Sequence, residues 1–414
     1  MVFNADKKKN FLPTAIFLML AIAAVTWCVL FLFFPQAGQD FLFLSRARTN
    51  FFFDYFCPRA TADMPMPYVE NCPCPYLDTG ILLRQDECYP ALANLWVGLF
   101  PADLIGAAMC TLIGVCVFVW GLVLFLGRYV PGKVLITAVV ACSSAPFLFA
   151  VTVGNLILYA VGFSLVFLAW YDSASRWRRS VAAVALALAS VVKITPALLG
   201  VLYLGRGWRT RIRYVVLSAG VAILLFIVPF MFCGGWEAVT AWVENAAMNS
   251  AAYTQKNGIG LYGLFSVAIR SFYMGQAPWW VLRVLRIASV CLGVLVLALG
   301  SSRGNDPWAK GYAVVLGMLF IPPTMMCYTA LYVLPFVITG MYHHNDRMRN
   351  ASAVYCFSLC MLLRVPLLFG AMDSLNVCFA AAASIDVAVV LSQLLLRKNS
   401  DENGSDPLHR GAIK

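Results

Sequence analysis

What most restricts this chain is a succession of apolar segments, each near the length that crosses a bilayer, separated by short basic turns. A hydrocarbon core about 30 Å thick asks for roughly 20 apolar residues per helix. Segments near 11–34, 103–126, 134–150 and 155–171 meet or approach that length, and 181–205, 214–232, 279–300, 311–321, 325–342, 351–369 and 375–396 follow. Only 12% of the residues are charged, against about 25% in a soluble globular domain. The expected fold is an all-α polytopic membrane protein.

Residues 181–205 decide the count of spans. Read as one span, they would put the four arginines of GRGWRTRIR on the outer side. Splitting them at Lys193-Ile194-Thr195-Pro196 returns those arginines to the cytoplasm, and proline disfavours helix in the residue before it. The split gives about twelve transmembrane helices with both termini cytoplasmic, in a multi-pass protein of the cell membrane. Residues 1–396 then form a single transmembrane domain, and 397–414 a short cytoplasmic tail. Lys7, Lys8 and Lys9 precede residues 11–34, which are too long for a signal-peptide core and end in no small-x-small site, so they are read as a retained first helix. Twenty of the 30 Lys and Arg fall in turns and tails assigned to the cytoplasm. That positive-inside bias accounts for the net charge of +11 without a nucleic-acid partner.

Two outer loops are long, the first (35–102) and the fourth (233–277). The first holds TNFFFDYFCPRATADMPMPY and, after two Cys-Pro pairs, RQDECYPALANLW. Aromatic rings settle at the water–lipid boundary, and Asp54 lies inside the run Phe51-Phe52-Phe53-Asp54-Tyr55-Phe56. A carboxylate held there suits a substrate with its tail in the bilayer and its polar head outside. Cys57, Cys72, Cys74 and Cys88 also fall in this loop. In an oxidising compartment they allow two disulfides in any of three connectivities; a four-cysteine zinc site and unpaired thiols are the alternatives. Two large outer loops suit an enzyme of the outer face more than a plain channel.

Asp54 is the leading catalytic candidate, as a base that takes a proton from an attacking hydroxyl. Its alternative role is an interfacial ion pair with Arg48 or Arg59. Asp40 is the fallback base, and Asp63, Asp78 and Asp86 read as solvated loop charges. Lys193 is an ionisable group in an apolar stretch, where such residues are costly and invite a functional reading. Its ammonium could bind a lipid phosphate or snorkel to the headgroups. Arg270, late in the fourth outer loop, could hold a phosphate by its planar fork or anchor the loop. Asn155 follows Gly154 at a tight turn and reads as a helix cap before a ligand. No G-x-x-x-x-G-K-[ST] is present, so no nucleotide-driven pump is indicated. His343, His344 and His409 all lie on the expected cytoplasmic side, and no metal or other cofactor is expected.

Three stretches resemble the integral-membrane GT-C glycosyltransferases, specifically glycosyltransferase family 87, the polyprenyl-phosphate-mannose-dependent α-mannosyltransferases. FFFDYFCP with CYPALANL resembles that family's Asp-aromatic motif and its later Tyr-Pro-Pro-Leu. GNLILYAVGFSLVFLAW with VVKITPALLGVLYL resembles its Gly-(Gln)-Asn helix and Lys-x-x-Pro-x-Leu-Leu. FIPPTMMCYTALYVLPF is similar to a Ser-Pro-x-Ser-Trp-x-His stretch. The resemblance spans about residues 40–340 and has departures: Ala91 replaces the second proline, and Met326 and Tyr328 stand where Trp and His are expected. By resemblance Asp54 is the base and Lys193 and Arg270 carry over as substrate-binding residues; Tyr89, Asn155, Arg59 and Tyr328 complete the expected substrate-binding set.

The expected activity is transfer of a sugar, most readily mannose, from a polyprenyl-phosphate donor to a hydroxyl of a glycolipid or glycan acceptor, with inversion. A lipid-linked sugar flippase or small-solute transporter is the alternative from another class. It calls for paired polar residues near mid-membrane and inverted repeats, neither of which the sequence displays. A surface-polysaccharide polymerase or ligase using a diphosphate-linked donor is a third reading.

Overall fold

The computed structural model describes residues 52–62, 68, 89–204, 208–253, 278–303, 306–322, 327–342, 346–359, 383–390 and 392. Among these residues there is helix and no strand. Three helices are long and apolar enough to cross a membrane: Leu104–Tyr129, Arg211–Phe232 and Trp279–Ser302, with a bent pair at 131–153 as a fourth. The first expected span, 11–34, lies outside the described residues.

The architecture is built around two parallel helices, α3 (Leu104–Tyr129) and α6 (Ile157–Trp170). Glycines let their backbones touch. A Cβ on Gly121 would stand 2.2 Å from the Gly162 carbonyl oxygen, and one on Gly162 would stand 2.6 Å from that of Val117. At one end the Tyr159 hydroxyl donates to the Cys110 carbonyl at 2.5 Å. At the other, Arg128 holds Asp172 by two bonds of 2.7 and 2.9 Å and also donates to the Leu168 and Ala169 carbonyls. The two basic turns expected on one side of the membrane thus meet at one end of this pair. With 14 residues and burial nearly all round, α6 is a core helix enclosed by the others.

Between α3 and α6 the segment expected as one span, 134–150, is broken. It runs as α4 (Val134–Cys142) and α5 (Ala145–Val153), with a bend of 57°. The cause is local: Ser143 and Ser144 end α4 by bonding back to the Val139 and Ala141 carbonyls, and Pro146, with no N–H, fits only the first turn of a new helix.

After α6 comes α7 (Arg176–Val192), and the chain then turns at Lys193 into a 3-10 helix, Thr195–Tyr203. The break falls at the expected Lys193–Pro196 step. The return brings Tyr203 against Tyr171 and Tyr214, so both ends of this hairpin share the Arg128 pole. Helix α8 (Trp208–Phe232) crosses back, and Gly234 and Gly235, at φ 111° and 67°, turn it into α9 (Gly235–Tyr253). Much of what reads as a polar outer loop is therefore helix. Next come α10 (Trp279–Arg303), α11 (Pro307–Phe320), a 3-10 turn Cys327–Tyr332, α12 (Leu334–Gly340), α13 (Asp346–Leu359) and helical residues 383–390. The segment expected at 325–342 is also two pieces, divided before Pro335, again at the start of a helix. Leu217, Ile223, Leu224 and Phe232 of α8, and Val284, Ile287, Val294 and Leu295 of α10, are exposed. Such apolar faces belong against lipid.

Candidate active site

The end of the bundle opposite Arg128 is closed by two short helices from the first long loop, α1 (Phe53–Ala62) and α2 (Ala91–Gly98). Phe52 starts α1 in the left-handed region, at φ 55°, a conformation that bulky side chains rarely adopt. Its N–H bonds to the Thr152 carbonyl at 3.0 Å. Farther along α1, the Tyr55 hydroxyl donates to the Pro101 carbonyl (2.5 Å) and Arg59 Nε to the Phe100 carbonyl (2.8 Å). Tyr55 is fully buried, in one cluster with Tyr89, Val97, Leu156 and Tyr159. These contacts fix the first turn of α1, which carries Asp54, over the start of α6. A carboxylate is favoured there by the unsatisfied N–H groups of its own helix.

Asn155 meets Asp54 directly. Gly154, at φ 65°, ends α5, and a Cβ on it would stand 3.0 Å from the Phe52 ring and 3.2 Å from Tyr55 Cβ. That close approach lets Asn155 do two things. Its Oδ1 accepts from the Ile157 N–H at 2.7 Å, the capping role expected from the sequence. Its Nδ2 donates to Asp54 Oδ2 at 2.5 Å, a contact between residues 101 apart in the chain. Asn155 is buried, whereas Asp54 is partly exposed.

Two further candidates, each expected singly, come together on the same cluster. Lys193 leaves the end of α7 in an extended conformation, and its ammonium lies 4.0 Å from the centre of the Tyr89 ring. Tyr89 belongs to the same cluster as Tyr55, and Val192 packs against it, so the Asp54 helix and the Lys193 turn share one hydrophobic support. Tyr328 stacks on Phe149 of α5, with ring centres 6.0 Å apart and five residues before Gly154. Arg270, Arg48, Asp40, Asp63, Asp78 and Asp86 lie outside the described residues, as do Cys72, Cys74 and Cys88. Cys57 is buried in α1.

Tyr68 is a residue that sequence reasoning missed. Its hydroxyl donates to the Tyr89 carbonyl (2.9 Å) and accepts from Asn94 Nδ2 (3.0 Å), while its carbonyl accepts from Asn245 Nδ2 of α9 (3.1 Å). Its ring packs on Phe230 of α8 at 5.2 Å. One buried tyrosine thus joins the two long loops directly behind the Lys193–Tyr89 pair. Its only local signal is a proline on its N-terminal side, which marks a turn and nothing more.

The arrangement is a carboxylate bonded by a buried amide beside an ammonium held over an aromatic ring. It can accept a proton from a hydroxyl and hold a phosphate. The family model for glycosyltransferase family 87 matches residues 89–327. The match takes in Tyr89, Asn155, Lys193 and Arg270; Asp54 precedes it and Tyr328 follows it. No curated protein and no solved structure matches the chain.

Proposed function

Since this chain belongs to glycosyltransferase family 87, a family of membrane glycosyltransferases, we propose that it moves a sugar, mannose as first choice, from a polyprenyl-phosphate donor to a hydroxyl of a glycolipid or glycan on the outer face of the cell membrane. Asp54 takes the proton of the acceptor hydroxyl as its oxygen attacks the anomeric carbon. The bond from that carbon to the phosphate oxygen breaks, and its electron pair leaves with the polyprenyl phosphate. Attack opposite the leaving group inverts the anomeric centre. The departing phosphate gains charge, which cations stabilise, and Lys193 and Arg270 are assigned that part. Tyr89 holds Lys193, Asn155 aligns Asp54, and Arg59 supports the Asp54 helix.

The observation that carries this reading is the Asn155–Asp54 hydrogen bond at the bundle end where Lys193 lies over Tyr89. A solvated loop carboxylate needs no buried amide to orient it. Incubating membranes that contain the chain with radiolabelled polyprenyl-phosphate sugars tests the reading. Label from polyprenyl-phosphate mannose should pass to a lipid or glycan fraction. Transfer only from a nucleotide sugar or a diphosphate-linked donor would overturn the assigned donor.

A further inference from the structure

At the pole opposite Asp54 three tyrosines form a row, with ring centres of Tyr171 and Tyr203 6.5 Å apart and Tyr203 stacked on Tyr214 at 6.2 Å. Guanidinium groups line it. Arg128 and Arg211 lie 5.8 and 6.0 Å from the centre of Tyr171, and Arg179 and Arg213 lie 5.2 and 4.7 Å from that of Tyr214. Arg178 stands over Trp170 at 5.7 Å. Of the carboxylates here, Asp172 is held by Arg128, and Asp306 caps α11 by accepting from the Trp308 and Ala309 N–H groups. Among the described residues, Arg178, Arg179, Arg211 and Arg213 form no ion pair. The first turn of α7 adds Arg176 and contains no acid, although helices favour acids at that end.

Two buried polar atoms in this cluster have no hydrogen-bond partner among the described residues, the Tyr203 hydroxyl and Arg179 Nε. Tyr203 is 1% exposed, and both Arg211 and Arg179 act on it electrostatically. A buried donor without an acceptor is costly. One ligand would satisfy the excess charge and both donors: a group with several anionic oxygens. The apolar surroundings narrow its source. Trp177, between two arginines, is 75% exposed, and Leu204, directly after Tyr203, is 56% exposed. A free anion makes no use of such surface, whereas an acyl chain does.

We propose that this pole is a binding site for the phosphate headgroup of an anionic membrane phospholipid. Exposed Arg178 and Arg213 meet the phosphate first, half-buried Arg179 and Arg211 hold it, and the Tyr203 hydroxyl donates to it. The site is independent of the chemistry assigned to Asp54.

Native mass spectrometry of the full chain, titrated with phosphatidylglycerol, phosphatidylcholine or inorganic phosphate, tests this. Phosphatidylglycerol should be retained well above the other two. Each surface arginine contributes about fivefold to such binding, so Arg179→Gln with Arg213→Gln should weaken it roughly 25-fold. Tyr203→Phe removes only the hydroxyl and should weaken it about fivefold, which keeps the test alive should the double variant fold poorly. Arg283→Gln, the same charge loss on α10, should change nothing. Equal retention of phosphatidylcholine, equal binding of inorganic phosphate, parental affinity in Tyr203→Phe, or an equal loss in Arg283→Gln would each overturn the proposal.

Discussion

Asn155 makes two bonds with two different atoms, and two substitutions separate them. Asn155→Ala removes both the 2.5 Å donation to Asp54 and the 2.7 Å acceptance from Ile157. A hydrogen bond to a charged group is worth about 1.5–3 kcal/mol. If that bond aligns Asp54 for proton transfer, turnover should fall roughly 10- to 100-fold. Losing the cap should also cost about 0.5–2 kcal/mol of stability. Asn155→Asp keeps the acceptor and so keeps the cap, but it replaces the donor with a second carboxylate. Two like charges about 4 Å apart repel by about 4 kcal/mol at an effective dielectric of about 20, so the pair should share one proton. The base is then available only at higher pH, and the acid limb of the rate profile should rise by about three pH units. Initial rates across pH, with unfolding temperature measured on the same purified variants, separate alignment from capping. Parental rates and an unmoved acid limb in Asn155→Asp would refute the reasoning.

Other substitutions probe the scaffold and the donor site. Gly121→Ala places a methyl 2.2 Å from the Gly162 carbonyl oxygen and should destabilise the chain by about 1–3 kcal/mol. Gly127→Ala, on the same helix with nothing within 4 Å, should gain up to about 1 kcal/mol; thermal unfolding that ranks the two the other way would contradict the α3–α6 contact. Lys193→Gln should raise the donor KM about 10- to 100-fold with little effect on unfolding temperature, and an unchanged KM would remove Lys193 from the donor site. Arg176→Cys and Arg209→Cys should both react with a membrane-impermeant thiol reagent from the same side, since Arg179 and Arg211 share one pole; labelling from opposite sides would break the hairpin topology.

Where a residue type forces the backbone, the sequence was readable. Pro196 follows the end of α7 where expected, and the returning 3-10 helix keeps Arg211 and Arg213 with the arginines of the 176–179 turn. At 134–150 hydropathy signalled an apolar segment but not its bend, which is written in Ser143, Ser144 and Pro146. At 155–171 it signalled an apolar helix, but a segment buried all round and one facing lipid carry the same apolar signature. The Asp54, Asn155, Lys193 and Tyr89 candidates were separate inferences, from aromatic flanks, a turn, an intramembrane charge and a family motif. Their pairing, Asp54 with Asn155 and Lys193 with Tyr89, required the third dimension. Tyr68 was illegible because the bonds that place it, to Tyr89, Asn94 and Asn245, reach residues at least 21 positions away.

The central claim is that Asp54 is the base of glycosyl transfer, and Asp54→Asn tests it most directly. Asparagine keeps the shape of the side chain but does not accept a proton at working pH. General-base assistance is typically worth about 100- to 10,000-fold, so turnover on one purified, well-folded variant should fall on that scale. Donor affinity, measured on the same sample, should change little, because cations hold the phosphate. Near-parental turnover in folded Asp54→Asn would contradict the account and move the search for the base to Asp40.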